Sequence, residues 1–115
     1  MDRKDAFRLV ADDVARGIAA SAGARFVLAK SRGQLEVELY KPLKVDLQQP
    51  HTRDEAYVIL EGRGTFIMGD ERVPFGPGDF LFVPAGMEHR FVDFGETLTT
   101  WVIFFGPEGG ERVSD

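Results

Sequence analysis

The stretch Gly78-Asp79-Phe80-Leu81-Phe82-Val83-Pro84-Ala85-Gly86-Met87-Glu88-His89-Arg90-Phe91 decides how this chain folds. It reads as a turn, a short apolar strand, a second turn, and a new strand opened by a histidine. Gly and Pro mark both turns, and four consecutive apolar residues are too few for a helix. A strand, tight turn and strand fold His89 back over the sheet. Upstream, Gln49-Pro50-His51-Thr52-Arg53-Asp54-Glu55 precedes a second apolar run, Ala56-Tyr57-Val58-Ile59-Leu60, and ends at Glu61-Gly62-Arg63-Gly64. In an extended chain positions 49, 51 and 55 share parity, so an amide, an imidazole and a carboxylate point to one face, which Tyr57 and Ile59 continue. Asp54 has the opposite parity and reads as a solvated charge beside Arg53.

Outward from these frames the same pattern repeats. Short β-type runs cover Arg25 to Ala29, Leu35 to Tyr40, Thr65 to Met68, Arg90 to Phe94 and Leu98 to Phe105, with Gly, Pro and Asp at the breaks. Many short strands without intervening helical patterns predict an antiparallel sandwich or barrel, not a parallel α/β sheet. Phe7, Val10, Val14 and Ile18 recur at spacings of three and four, which predicts an amphipathic helix from about Asp5 to Ala20, ended near Gly23. That helix is either a lid on the barrel or packed on its outer face. The expected organisation is a helical segment over 1–24, a β-domain over 25–108 and a flexible tail over 109–115.

The two histidine frames resemble the paired motifs of the cupin superfamily. In the second motif Gly78, Pro84, Gly86 and His89 match, and Asp93 stands where the family's pattern closes on Asn. In the first, His51, Glu55 and Gly62 match the second histidine, the glutamate and the closing glycine. Leu43 replaces the leading glycine, and Gln49 replaces the first histidine. The resemblance implies an all-β antiparallel barrel or jelly roll, with a short N-terminal helix, and a mononuclear metal held by His51, Glu55 and His89. Gln49 is implied as a fourth ligand through its amide oxygen. Two imidazoles and one carboxylate leave coordination positions open and suit Fe, Mn, Ni or Zn. Either histidine alone is most simply a surface or hydrogen-bonded core residue, so the joint spacing carries the reading.

Composition bounds the rest. A chain of 115 residues buries a core without help from disulfides, and there is no cysteine to form them. A formal charge of −5, from 19 acidic and 14 basic residues, offers no basic stripe for nucleic acid. No apolar run reaches the roughly 18 residues of a membrane span, and Asp2 to Asp5 do not lead into a signal-peptide core. These features predict a cytoplasmic protein. Gly62-Arg63-Gly64 lacks the Lys-Ser/Thr ending of a phosphate loop and reads as a hairpin turn. No Gly-x-Ser-x-Gly elbow occurs, which argues against a serine hydrolase. Of the ten Phe and three other aromatic residues, most serve the core, and Tyr57, Phe91 and Trp101 are the expected pocket-lining set.

Two function classes stay open. One is a metal-dependent enzyme of dioxygenase or isomerase type acting on a small organic molecule, with no independent general base identifiable. The other is a non-catalytic cupin that binds a small ligand or metal for sensing or storage. The resemblance and the apolar stripe of the helix suggest a homodimer.

Overall fold

The computed structural model describes residues 5–20, 25–46 and 48–113. Helix α1 spans Ala11–Ala20, followed by eight strands: β1 Phe26–Arg32, β2 Leu35–Tyr40, β3 Asp54–Glu61, β4 Gly64–Met68, β5 Glu71–Phe75, β6 Phe80–Val83, β7 His89–Val92 and β8 Thr99–Phe105. Every pairing is antiparallel. A five-stranded sheet, β1-β2-β8-β3-β6, faces a three-stranded sheet, β5-β4-β7, in a jelly-roll arrangement. The two sheets do not close into one hydrogen-bonded barrel.

The registers explain where the site lies. Glu38 pairs with Val102 and Tyr40 with Thr100 across β2 and β8, while Val102 pairs with Tyr57 and Phe104 with Glu55 across β8 and β3. Because opposed residues share a face, Glu38, Tyr40, Val102, Phe104, Tyr57 and Glu55 all point inward. The smaller sheet supplies Phe66 and Phe91, opposite each other on β4 and β7. With Ile59, Phe75, Leu81, Val83, Phe94 and Leu98 these close the core. Tyr57, Phe66 and Phe91 meet edge-on or tilted, with centroids 4.6–5.6 Å apart, the spacing aromatic pairs prefer.

Several sequence expectations shift. The helix begins at Ala11, where the Val10 carbonyl accepts the amides of Asp13 and Val14 and two acidic residues occupy the first turn, as a helix N-terminus favours. Residues 6–10 are not helical, and the expected stop at Gly23 lies outside the described residues. The helix packs on β1 and β2. Its Gly17 approaches Val27, which pairs with the buried Leu39 on the face away from Tyr40. It is an outer cover and not a lid.

Gly62-Arg63-Gly64 is not a hairpin turn. It carries the chain from the larger sheet to the smaller, and Gly62, at φ 101°, passes so close to Leu98 that a Cβ would sit 2.8 Å from its Cα. The two-residue hairpins are Gly33-Gln34 and Gly69-Asp70, each opened by a glycine with positive φ. Strand β5 was masked in the sequence by Pro74. It is an edge strand, where a missing N–H costs no ladder bond. The start of the expected tail is tied down, since the Gly109 amide donates to the Thr52 carbonyl and the Glu111 amide to Asp54.

Candidate metal centre

Glu55 enters β3 facing inward and is 1 % exposed. His89 opens β7, the position the tight turn imposes: the Met87 amide donates to the Pro84 carbonyl, and Gly86 takes φ 81°. His51 precedes the strand, so extended parity does not place it. Bends at Thr52 and Arg53 intervene. A bond between turns holds it instead, the Gly86 amide donating to the His51 carbonyl at 2.8 Å. The His51 ring then lies 5.5 Å from that of His89 and edge-on to Phe104 at 4.9 Å.

Nε2 of His51, a carboxylate oxygen of Glu55 and Nε2 of His89 lie within 4.8 Å of one another. Glu55 Oε1 is 2.8 Å from His89 Nε2 and 3.8 Å from His51 Nε2. Bonds of about 2.0–2.2 Å to a shared ion set donor separations of roughly 3–3.5 Å, so small movements suffice. His51 Nε2, Glu55 Oε2 and His89 Nε2 are buried without hydrogen-bond partners among the described residues. Native proteins rarely leave such atoms unsatisfied unless an ion or water takes them up.

The tautomer points the same way. His89 Nδ1 lies 3.0 Å from the Met87 carbonyl, which only accepts, so Nδ1 carries the proton and Nε2 of the neutral ring turns a lone pair toward Glu55. Two lone pairs at 2.8 Å require a proton or a cation between them. In the protein alone that need appears in the His89 pKa: burial pulls it down, but the Glu55 carboxylate and the Met87 carbonyl outweigh burial and raise it. The donor set fits a divalent transition metal.

His89 and Glu55 side chains are sealed, whereas that of His51 is one-third exposed. Its side opens to a cavity of about 450 Å³ lined by Phe26, Glu38, Tyr40, Gln48, Val102 and Phe104 among others. Glu38 is the inward carboxylate that sequence reasoning missed; burial, then its neighbours Glu36 and Glu55, raise its pKa. Its signal was parity along Leu35–Tyr40. Tyr57 is fully buried and reaches the site through its hydroxyl, which donates to Gln48 at 2.8 Å. Burial and the Glu55 charge raise its pKa well above the ordinary value, so it remains a neutral donor. Phe91 is a core residue that also borders a shallow pocket with Asp46 and Gln49. Trp101 is half-buried beside Leu39, off the face carrying Val102 and Phe104.

Gln49 is exposed and borders a shallow pocket with His89, while the neighbouring Gln48 turns inward. Asp54 is not a solvated charge. It is 6 % exposed, and its carboxylate accepts the amides of Ala85 and Glu111. Arg53 pairs instead with Glu36 at 3.1 Å. The local reason is that β3 begins at Asp54, whose side chain caps two converging loops.

The family model described as the cupin domain matches residues 36–105. An uncharacterised protein of Streptomyces coelicolor is 35% identical over 105 residues, covering 90% of this chain and 97% of its own. An acireductone dioxygenase of Rhodopseudomonas palustris is 49% identical over 45 residues, which are 36% of this chain and 27% of that enzyme. This chain therefore spans about a quarter of that relative. The crystal structure of a cupin superfamily protein from Desulfitobacterium hafniense superimposes with a TM-score of 0.61 at 19% identity, over 71% of this chain and 76% of that one. The domain match covers more than half of the chain, and the fold and the inward His-Glu-His cluster agree with it: this protein is a member of the cupin family.

Proposed function

We propose that this protein holds one divalent transition metal, Fe, Mn, Ni or Zn, on His51, Glu55 and His89, and binds a small organic molecule there from the cavity beside His51. The observation that carries the reading is the convergence of three residues whose buried His51 Nε2, Glu55 Oε2 and His89 Nε2 find no hydrogen-bond partner among the described residues. A bound metal would supply Lewis acidity toward a substrate oxygen and, as Fe(II), a site for O₂. The chain's own residues do the rest. Met87 holds the His89 tautomer, Phe104 braces the His51 ring, and Val102 and Phe104 wall part of a pocket of small-molecule size. Local similarity to acireductone dioxygenases favours dioxygenase-type chemistry over isomerisation. Gln49 stands at the rim, and its amide oxygen serves as a secondary ligand from the solvent side. The protein acts in the cytoplasm as a homodimer on this reading, and sedimentation showing monomer alone would remove the dimer.

A second reading, a non-catalytic binder, draws support from the mixed lining of the cavity beside His51, where Glu38 lies two strands from the proposed ligand Glu55 on the sheet. Elemental analysis of purified protein and of His51→Ala and His89→Ala tests the metal. Near-stoichiometric metal lost in both variants supports the site. No metal even after reconstitution with Fe(II), Mn(II), Ni(II) and Zn(II) overturns it.

A further inference from the structure

Gln48 occupies a singular place. It borders both the cavity that exposes His51 and the shallow pocket that reaches His89, and it is held at three points. Its backbone amide and its Nε2 both donate to Asp46, at 3.1 and 2.8 Å. Its Oε1 accepts the Tyr57 hydroxyl at 2.8 Å. Asp46 is itself buried, 2 % exposed, and also bonded by the Tyr40 hydroxyl and the Phe91 amide.

These contacts settle the sense of the amide. One N–H is committed to the Asp46 carboxylate, which only accepts, so flipping the amide would oppose its oxygen to a carboxylate oxygen; the Oε1 is left to accept from Tyr57. One Nε2 proton remains with no partner among the described residues. A primary amide that lines an open cavity and keeps a single unspent donor is a recognition element: it rewards an acceptor and offers a donor nothing.

We propose that the Gln48 amide selects ligands at the metal centre, favouring small molecules that present an acceptor oxygen, as carboxylates and enolates do, over those that present a donor. This rests on the metal site proposed above. Tyr57 and Asp46 are positioning residues that act through Gln48. The choice suits the charge as well, because a divalent ion held by one carboxylate and two neutral imidazoles keeps a net positive charge that an anionic oxygen ligand offsets.

The test uses Co(II) as a spectroscopic metal, with acetate and imidazole as probes titrated by visible absorption. Acetate carries a second acceptor oxygen; the free nitrogen of bound imidazole is a donor. In Gln48→Met, which keeps chain length but removes the donor, acetate affinity falls about tenfold while imidazole affinity stays within about twofold of wild type, the loss expected for one hydrogen bond to a charged group. Tyr57→Phe keeps Gln48 but frees its oxygen, and weakens acetate by a smaller factor, again without affecting imidazole. Unchanged acetate binding in both variants overturns the proposal, and so does a parallel loss of both probes, which would mark a merely structural role. Failure of wild-type protein to bind Co(II) overturns the metal site itself, and with it this proposal. Co(II) binding with indifferent probe selectivity overturns the proposal alone.

Discussion

Glu55 and Asp46 are both carboxylates buried between the same two sheets, and they are treated oppositely. Asp46 accepts four hydrogen bonds, from the Tyr40 hydroxyl, the Gln48 backbone and side chain, and the Phe91 amide. Glu55 has an oxygen with none, and its other oxygen faces two histidine nitrogens. A buried charge with every lone pair used is a fastener, here tying Asp46 and Gln48 to Tyr40 on β2 and Phe91 on β7. A buried charge left short of partners costs stability unless something else binds it. Asp46 is thereby a structural tie, and Glu55 is the acid free to serve as a candidate ligand.

Substitution at each acid tests whether Glu55 and Asp46 differ in this way. The largest effect falls on metal affinity. His51→Ala and His89→Ala each lower it by more than the roughly 10–100-fold that outer hydrogen-bond partners of a metal site contribute, as read by competition with a chelator. Glu55→Gln also abolishes tight binding, yet above the raised His89 pKa, where the ring is neutral and the carboxylate lacks a cationic partner, it leaves the thermal stability of the metal-free protein unchanged or higher. If Glu55→Gln destabilised the metal-free protein as much as Asp46→Ala, the distinction between the two acids would fail. Asp46→Ala strands four donors and costs about 3 kcal/mol or more of folding free energy, measured by denaturant unfolding.

A third acid makes an intermediate case. Asp54→Ala releases the Ala85 and Glu111 amides and costs about 1–2 kcal/mol, while metal affinity changes little because the carboxylate faces away from the cluster. Equal damage to metal binding from Asp54→Ala and His51→Ala would overturn the ligand assignment. Smallest is Gln49→Ala, which lowers metal affinity less than loss of either histidine.

Acidity supplies an independent check. Metal binding needs neutral His89, and its pKa is raised, so protons compete at higher pH than at an ordinary imidazole. Apparent metal affinity falls about tenfold per pH unit below that raised value. For the metal-free protein the sign reverses. A folded-state pKa above the unfolded value of about 6.5 means the protonated His89–Glu55 contact contributes fully below the unfolded pKa. That contribution disappears as pH rises through the folded one. Metal titrations and metal-free unfolding curves at several pH values read the two trends.

How much was legible from the sequence follows from what kind of constraint each residue obeys. Leu35–Tyr40 and Phe80–Val83 were bounded to the residue, because a turn residue stands at each end of an uninterrupted apolar or alternating run. Glu71–Phe75 was not, since Pro74 argues against a strand until its edge position is known. His89 and Glu55 followed from motif spacing. Gln48, Asp46 and Glu38 carry no spacing signal, and their importance arises from partners up to 45 residues away.

Local features are written in the sequence: strand runs, glycine turns and the order of two histidine frames depend on neighbours a few residues apart. Only the tertiary structure decided which of Gln48 and Gln49 turns inward, that Asp54 is a buried tie, and that Gly62-Arg63-Gly64 changes sheets. These depend on burial and on hydrogen-bond partners brought together by sheet pairing, and a bend of two residues before β3 is enough to cancel the parity from which a side chain's direction is read.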